Sequence, residues 1–131
     1  MNNKNRTIRF LYYLSVVALF VLYLFPGSII GYLLYEDLGK QPNLISNPAG
    51  TSINHFIYFL FLSIVGLFGY LKDDSFKKVL IFLLFSSIIL EVLHLIIPNR
   101  SFQYLDLISN FTGVLLGYCM VIIYKKWKNN E

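Results

Sequence analysis

Six side chains offer chemistry in a sequence that has little of it elsewhere: His55, Glu91, His94, Arg100, Asp106 and Asn110. Glu91 interrupts a long apolar run, and an acid at the centre of a membrane span costs on the order of 2.5–3.5 kcal/mol. Function is therefore its default reading, with a protonated, hydrogen-bonded structural acid as the alternative. Glu91 and His94 stand one helical turn apart, and either suits a general base, while Arg100 is the nearby cation able to fork onto a phosphate or carboxylate. No nucleophile motif accompanies them. The Glu91-x-x-His94 pair has chelating spacing, and His55 would supply a third ligand. Two histidines and two acids are a thin ligand set, however, so the pair is expected to be a hydrogen-bonded helix contact, with no metal and no cofactor. The others also have structural readings: Asp106 as a helix cap, His55 as an interfacial hydrogen bonder and Asn110 as a bond between helices.

These side chains need helices to position them, and the composition says in what solvent. Of 131 residues, 56% are hydrophobic and only 14% charged, where a soluble chain typically carries about 25% charged residues. A globule this small lacks the polar surface to face water, so a membrane is expected. The net charge of +4 does not point to nucleic acid, because the basic residues cluster at the ends of apolar runs rather than on one patch. The lone Cys119 excludes an internal disulfide and a multi-cysteine metal site.

Four apolar runs are long enough to cross: 8–25, 53–71, 79–97 and 105–124. The first would rise about 27 Å as a helix, close to a hydrocarbon core. It follows Lys4, Arg6 and Arg9, yet no A-x-A-like cleavage site succeeds it, so it is expected to remain as a span. Residues 26–52 contain a short apolar piece of eight residues (28–35), too short to cross, then Pro42, Asn43, Asn47, Pro48 and Gly50. That pattern reads as an extramembrane loop, with a surface helix as an option. The fold class expected is all-α: a single domain over 1–131, built as a four-helix membrane bundle. Nine of the eleven Lys and Arg flank one side of these spans, leaving only Lys40 and Arg100 on the other. Both termini are therefore expected in the cytoplasm, with 26–52 and 99–104 outside.

Spacing gathers the polar residues. Ser87, Glu91, His94 and Pro98 follow i, i+4, i+7, i+11 on the third span, as Asp106, Asn110, Gly113 and Gly117 do on the fourth. Each set makes one helix face, and His55 begins the second span at a similar depth. Gly113 and Gly117, with Ser63, Gly66 and Gly69, let helices approach closely, so these stripes are expected to be the mutual contacts, with Ser87 among the packing residues. The polar residues would then meet at the exterior mouth of the bundle.

Glu91-Val-Leu-His94, Pro98-Asn99-Arg100-Ser101-Phe102, Asp106, Asn110, Gly113 and Gly117 resemble the second half of the VanZ-like family, with the pattern E-x-x-Q, P-x-R-S/T-x, D-x-x-x-N-x-x-G-x-x-x-G. The resemblance covers about residues 50–120. His94 replaces the family's glutamine, and Thr51 and Ser52 stand where the family has a D-K pair ahead of the retained His55-Phe56. The resemblance implies a bacterial cytoplasmic membrane, a link to teicoplanin (glycopeptide) resistance, and a site near envelope lipid or glycolipid precursors. Three readings follow. One is a non-catalytic binder of an anionic amphiphile, either a membrane lipid or a lipid-linked envelope precursor. The second is an enzyme on the same substrates, and the third a structural or assembly subunit with a membrane-protein partner or a second copy of itself. A small transporter, which would need to oligomerise to enclose a path, is more distant.

Overall fold

The computed structural model describes residues 3–42 and 50–130, which are all-helical with no strand among them. Five helices follow in order: α1 (Asn3–Leu24), α2 (Ile29–Tyr35), α3 (Ser52–Gly69), α4 (Phe76–Leu93) and α5 (Tyr104–Asn129). Three of them, over Asn5–Leu24, Ser52–Gly69 and Tyr104–Lys128, are long and apolar enough to cross a membrane. The remaining expected span, 79–97 and now α4, is not among them. The 18 residues of α4 include Lys77, Lys78 and Glu91, more charge than an apolar span carries.

The bounds of α4 also differ from the expected 79–97. Asp73 starts the helix early, its carboxylate accepting from Ser75 N (2.8 Å) and its carbonyl from Phe76 N (3.0 Å). At the other end Pro98 has no N–H and disfavours helical backbone before it. The last residues tighten into i→i−3 bonds: His94 N to Glu91 O (3.1 Å), Leu95 N to Val92 O (3.1 Å) and Ile96 N to Leu93 O (3.0 Å). His94 is thus the C-cap rather than a residue of the helix body.

The loop expected over 26–52 contains a helix. Gly27, at φ 96°, turns the chain after Pro26, and Ser28 caps α2 by accepting from Gly31 N (2.9 Å) while its own N–H donates to Leu38 O (2.7 Å). Glu36, in the left-handed region at φ 56°, ends it. Tyr32, Leu33 and Leu34 of α2 are exposed. Asn43, Asn47 and Pro48, expected as turn formers, lie outside the described residues.

Around α3 the other long helices assemble, with α5 its most extensive partner and α1 next, while α4 packs on α5 and α3. Leu19, Phe59, Leu62, Leu83, Leu90 and Val114 are fully buried between them. Phe10, Val17, Ile81, Phe85, Ile108 and Ile123 face outward, as suits hydrocarbon surroundings. The small residues divide their work differently from expectation. Gly113 lies on the α3 backbone at Phe56 and Leu60, and Gly117 against Ser63, but Gly66 receives Tyr12 of α1 and Gly69 receives Ile8 and Arg9. Tyr12 and Arg9 are large, and only a glycine opposite leaves them room.

At the end of the bundle away from α2, Arg9 ties α1 to the α3–α4 turn. Its Nε donates to Gly69 O (2.9 Å), its Nη2 to Asp73 Oδ2 (2.7 Å), and its guanidinium lies 4.0 Å from the Tyr70 ring centroid.

Candidate functional site

At the α2 end, four helices bring polar side chains inward within a turn or two of their termini. α1 contributes Tyr23, α3 contributes Ser52 and His55, α4 ends on Glu91 and His94, and α5 opens with Asp106 and Asn110. All seven are buried, and Glu91 and Asn110 are 0% exposed. Apolar helices leave such groups one satisfactory arrangement: pointing at each other, away from hydrocarbon.

The hydrogen bonds fix the protons. Asn110 Nδ2 lies 3.4 Å from Ser87 O, an acceptor, so Asn110 Oδ1 faces Tyr23, whose hydroxyl donates to it at 2.8 Å. With its one proton spent, the Tyr23 oxygen accepts from His55 Nδ1 at 2.7 Å. In a neutral imidazole this leaves Nε2 as a bare lone pair, and it faces Asp106 Oδ2 at 3.6 Å. The other Asp106 oxygen accepts from the Ser52 hydroxyl. Glu91 is held similarly on one side: Oε1 accepts from Gln103 N at 3.1 Å and lies 3.4 Å from His94 Nδ1. Its Oε2 is buried without a hydrogen-bond partner, 3.8 Å from His55 Nδ1. His94 stacks on Tyr23, with ring centroids 5.4 Å apart and planes 19° from parallel, and its Nε2 is 3.2 Å from the Tyr23 carbonyl.

The structure therefore brings His55, Glu91, His94, Asp106 and Asn110 into one cluster. Arg100 stands beside it on different duty. Its Nη2 donates to Leu22 O (2.5 Å) and its Nε to Phe25 O (3.3 Å), satisfying carbonyls that the end of α1 leaves open. Burial lowers its pKa from the ordinary value, and a guanidinium remains charged nonetheless. Asp106 sits in the first turn of α5, whose N-cap is Gln103. Three participants escaped the sequence reading: Tyr23, the Ser52 hydroxyl and the Gln103 backbone. A tyrosine near the end of an apolar run is common enough as an interface anchor that Tyr23 gave no separate signal.

Two adjoining cavities open here. One, of about 370 Å³, is lined by polar groups including Thr51, Gln103, Ser101 and Asp106. The other, of about 290 Å³, is lined mainly by apolar side chains of α1, α2 and α3, among them Leu22, Ile30, Leu34 and Tyr58. Gln41, His55, His94 and Arg100 belong to both walls. Among the described residues, the group of three spaced to hold a metal ion is His55, Glu91 and Asp106: one imidazole nitrogen and one oxygen of each acid lie within 4.8 Å of one another.

No curated protein and no solved structure matched the chain. The model of the VanZ/LLP1 family matches residues 10–125, a stretch that reaches from α1 through α5 and takes in every residue of the cluster. On that match, the chain belongs to the VanZ/LLP1 family.

Proposed function

We propose that this membrane protein binds the head of an anionic amphiphile, a membrane lipid or a lipid-linked envelope precursor, at the outer face of a bacterial cytoplasmic membrane. The observation that carries the reading is the pairing of a polar cavity with an apolar one across a shared wall that holds Arg100. A head group fits the first and the start of an acyl or polyprenyl chain the second. Arg100 spends two N–H groups on the Leu22 and Phe25 carbonyls, and its remaining donors can meet a phosphate or carboxylate. α4 serves as a fourth span, with Lys77 and Lys78 at its cytoplasmic end and Glu91 turned inward to the cluster, away from lipid. Nine of eleven cations at the opposite end favour cytoplasmic termini and an outward pocket. The apolar surface of α2 suits the outer interface of the bilayer. The family resemblance extends the reading to glycopeptide tolerance and envelope lipid handling.

The test is lipid retention by the purified protein, read by native mass spectrometry after exchange into phosphatidylglycerol, a polyprenyl phosphate or phosphatidylcholine. The two anionic lipids are expected to survive delipidation and phosphatidylcholine to be lost, with Arg100→Ala removing the difference. Equal retention of all three by the wild type overturns the reading. Expression in a teicoplanin-sensitive host, with Glu91→Gln beside the wild type, tests the resistance extension: no change in tolerance removes it.

A further inference from the structure

We propose that His55, Glu91 and Asp106 hold a divalent metal ion, Zn²⁺ or Mn²⁺ in character. Each of the three has one polar atom already engaged and one left over. His55 gives Nδ1 to Tyr23, Asp106 gives Oδ1 to Ser52, and Glu91 gives Oε1 to the Gln103 N–H. What remains is an imidazole lone pair and two carboxylate oxygens, and one of these, Glu91 Oε2, is fully buried with no partner. His55 Nε2 and Asp106 Oδ2, 3.6 Å apart, are too distant for a hydrogen bond. Two ligands of one ion, each about 2.1 Å from it, stand roughly 3.0–3.5 Å apart, so the pair is close to coordinating distance already. Side-chain rotation brings in Glu91, one oxygen of which lies within 4.8 Å of a His55 nitrogen and an Asp106 oxygen, and whose Oε2 stands 3.8 Å from His55 Nδ1.

Charge makes the same case. Two buried carboxylates beside a neutral imidazole are costly in a membrane protein, and a dication cancels both. The engaged atoms are also those a metal site needs. A ligating histidine donates its other ring N–H to an acceptor that fixes its tautomer, as His55 does to Tyr23, and ligating carboxylates are held by outer donors. One nitrogen with two oxygens is a borderline-to-hard set. His55 and Asp106 line the polar cavity, so further coordination positions open onto it for water or an anionic oxygen. Such an ion would add to the attraction that Arg100 gives the pocket for anions, but the site is complete without the amphiphile, so each reading can fail alone.

The test uses the full chain in detergent, purified without a histidine tag, stripped with chelator, dialysed against Zn²⁺ or Mn²⁺ and measured for bound metal by mass spectrometry. The wild type is expected to hold one ion per chain. Glu91→Gln, Asp106→Asn and His55→Ala should fall below about 0.1, since each removes a ligand, and Tyr23→Phe should bind about 10–100-fold more weakly while still saturating. Cys119→Ser, altering an exposed thiol away from the cluster, should bind fully. Circular dichroism and gel filtration identify variants that fail to fold. A folded wild type that retains neither ion overturns the proposal, as does unchanged binding in folded Glu91→Gln and Asp106→Asn.

Discussion

Replacing Gly113 with alanine should loosen the whole site from a distance. A Cβ at this position would lie 2.7 Å from the Phe56 carbonyl oxygen, 3.0 Å from Leu60 N and 3.1 Å from Phe59 Cβ. Two of the three are backbone atoms of α3, so no rotamer change relieves them, and α5 must part from α3 by about 0.7 Å to regain ordinary contact. Overpacking of this kind costs about 1–3 kcal/mol, while the better helix propensity of alanine returns up to about 1 kcal/mol. The net expectation is a loss of about 1–2 kcal/mol, larger for Gly113→Val. The same separation draws His55 on α3 from Asp106 and Asn110 on α5, so metal affinity should fall alongside stability. The assay is reversible unfolding in mixed micelles titrated with a denaturing detergent. Leu115→Ala, on an exposed face of α5, serves as the control and should stay within about 0.5 kcal/mol of wild type. If Gly113→Ala unfolds later than wild type, propensity has won and the close α3–α5 approach is not what holds the bundle.

Glu91→Gln should stabilise the metal-free protein by about 1 kcal/mol or more, because a buried charge with an unpartnered oxygen gives way to a neutral amide; thermal unfolding in excess chelator reads this, and a lower midpoint for the variant contradicts it. Arg100→Ala should cost about 1–2 kcal/mol by orphaning the Leu22 and Phe25 carbonyls, and Arg100→Lys should recover little of it in the same assay, since an ammonium cannot fork between two carbonyls. Asp73 gives a pH signature: the Ser75 N–H, followed by the Arg9 guanidinium, holds its carboxyl below the ordinary value of 3.8. A folded pKa below the unfolded one stabilises above the unfolded value, and that contribution disappears as pH falls through the folded one. Wild-type unfolding midpoints should therefore drop more steeply than those of Asp73→Asn on acidification below 3.8, and parallel curves would remove the bridge from the account.

Hydropathy made the long helices legible, since backbone in an apolar segment has no partner but itself. It read less well where charge and apolarity mix. Lys77 and Lys78 looked like flanks of a span and lie inside α4, and Pro98 looked like the stop just past residue 97, whereas α4 ends at Leu93 and the turn before Pro98 tightens. The cluster was legible for a related reason: an acid or histidine within an apolar run can only face inward, so Glu91, Asp106 and His55 announced themselves and i, i+4 spacing put Asn110 with them. Arg100 shows the limit of that logic. Residue type supplies a charge, but that the charge lies over the end of α1 depends on how the 94–103 turn folds back. Tyr23 was illegible because its type is expected at a span end whether or not it bonds to anything.

What the sequence hid has a common physical origin. Every helix leaves its first N–H and last C=O groups without intrahelical partners, and in an apolar solvent these cannot be left to water. Here the polar cluster absorbs them. The Gln103 N–H at the start of α5 goes to Glu91, the carbonyls ending α1 go to Arg100, and Ser52, first residue of α3, turns its hydroxyl to Asp106. The terminus groups thereby become the outer layer that orients the site, leaving Glu91 Oε2 and the Nε2 lone pair of His55 free. A cluster in the middle of these helices would have had no such groups to recruit, which is a physical reason for it to sit at one end. It follows that shifting a helix boundary should disturb the site as surely as altering a side chain within it. Gln103→Pro removes the N–H that holds Glu91 while touching none of the three proposed ligands, and it should weaken metal retention with the helix content kept.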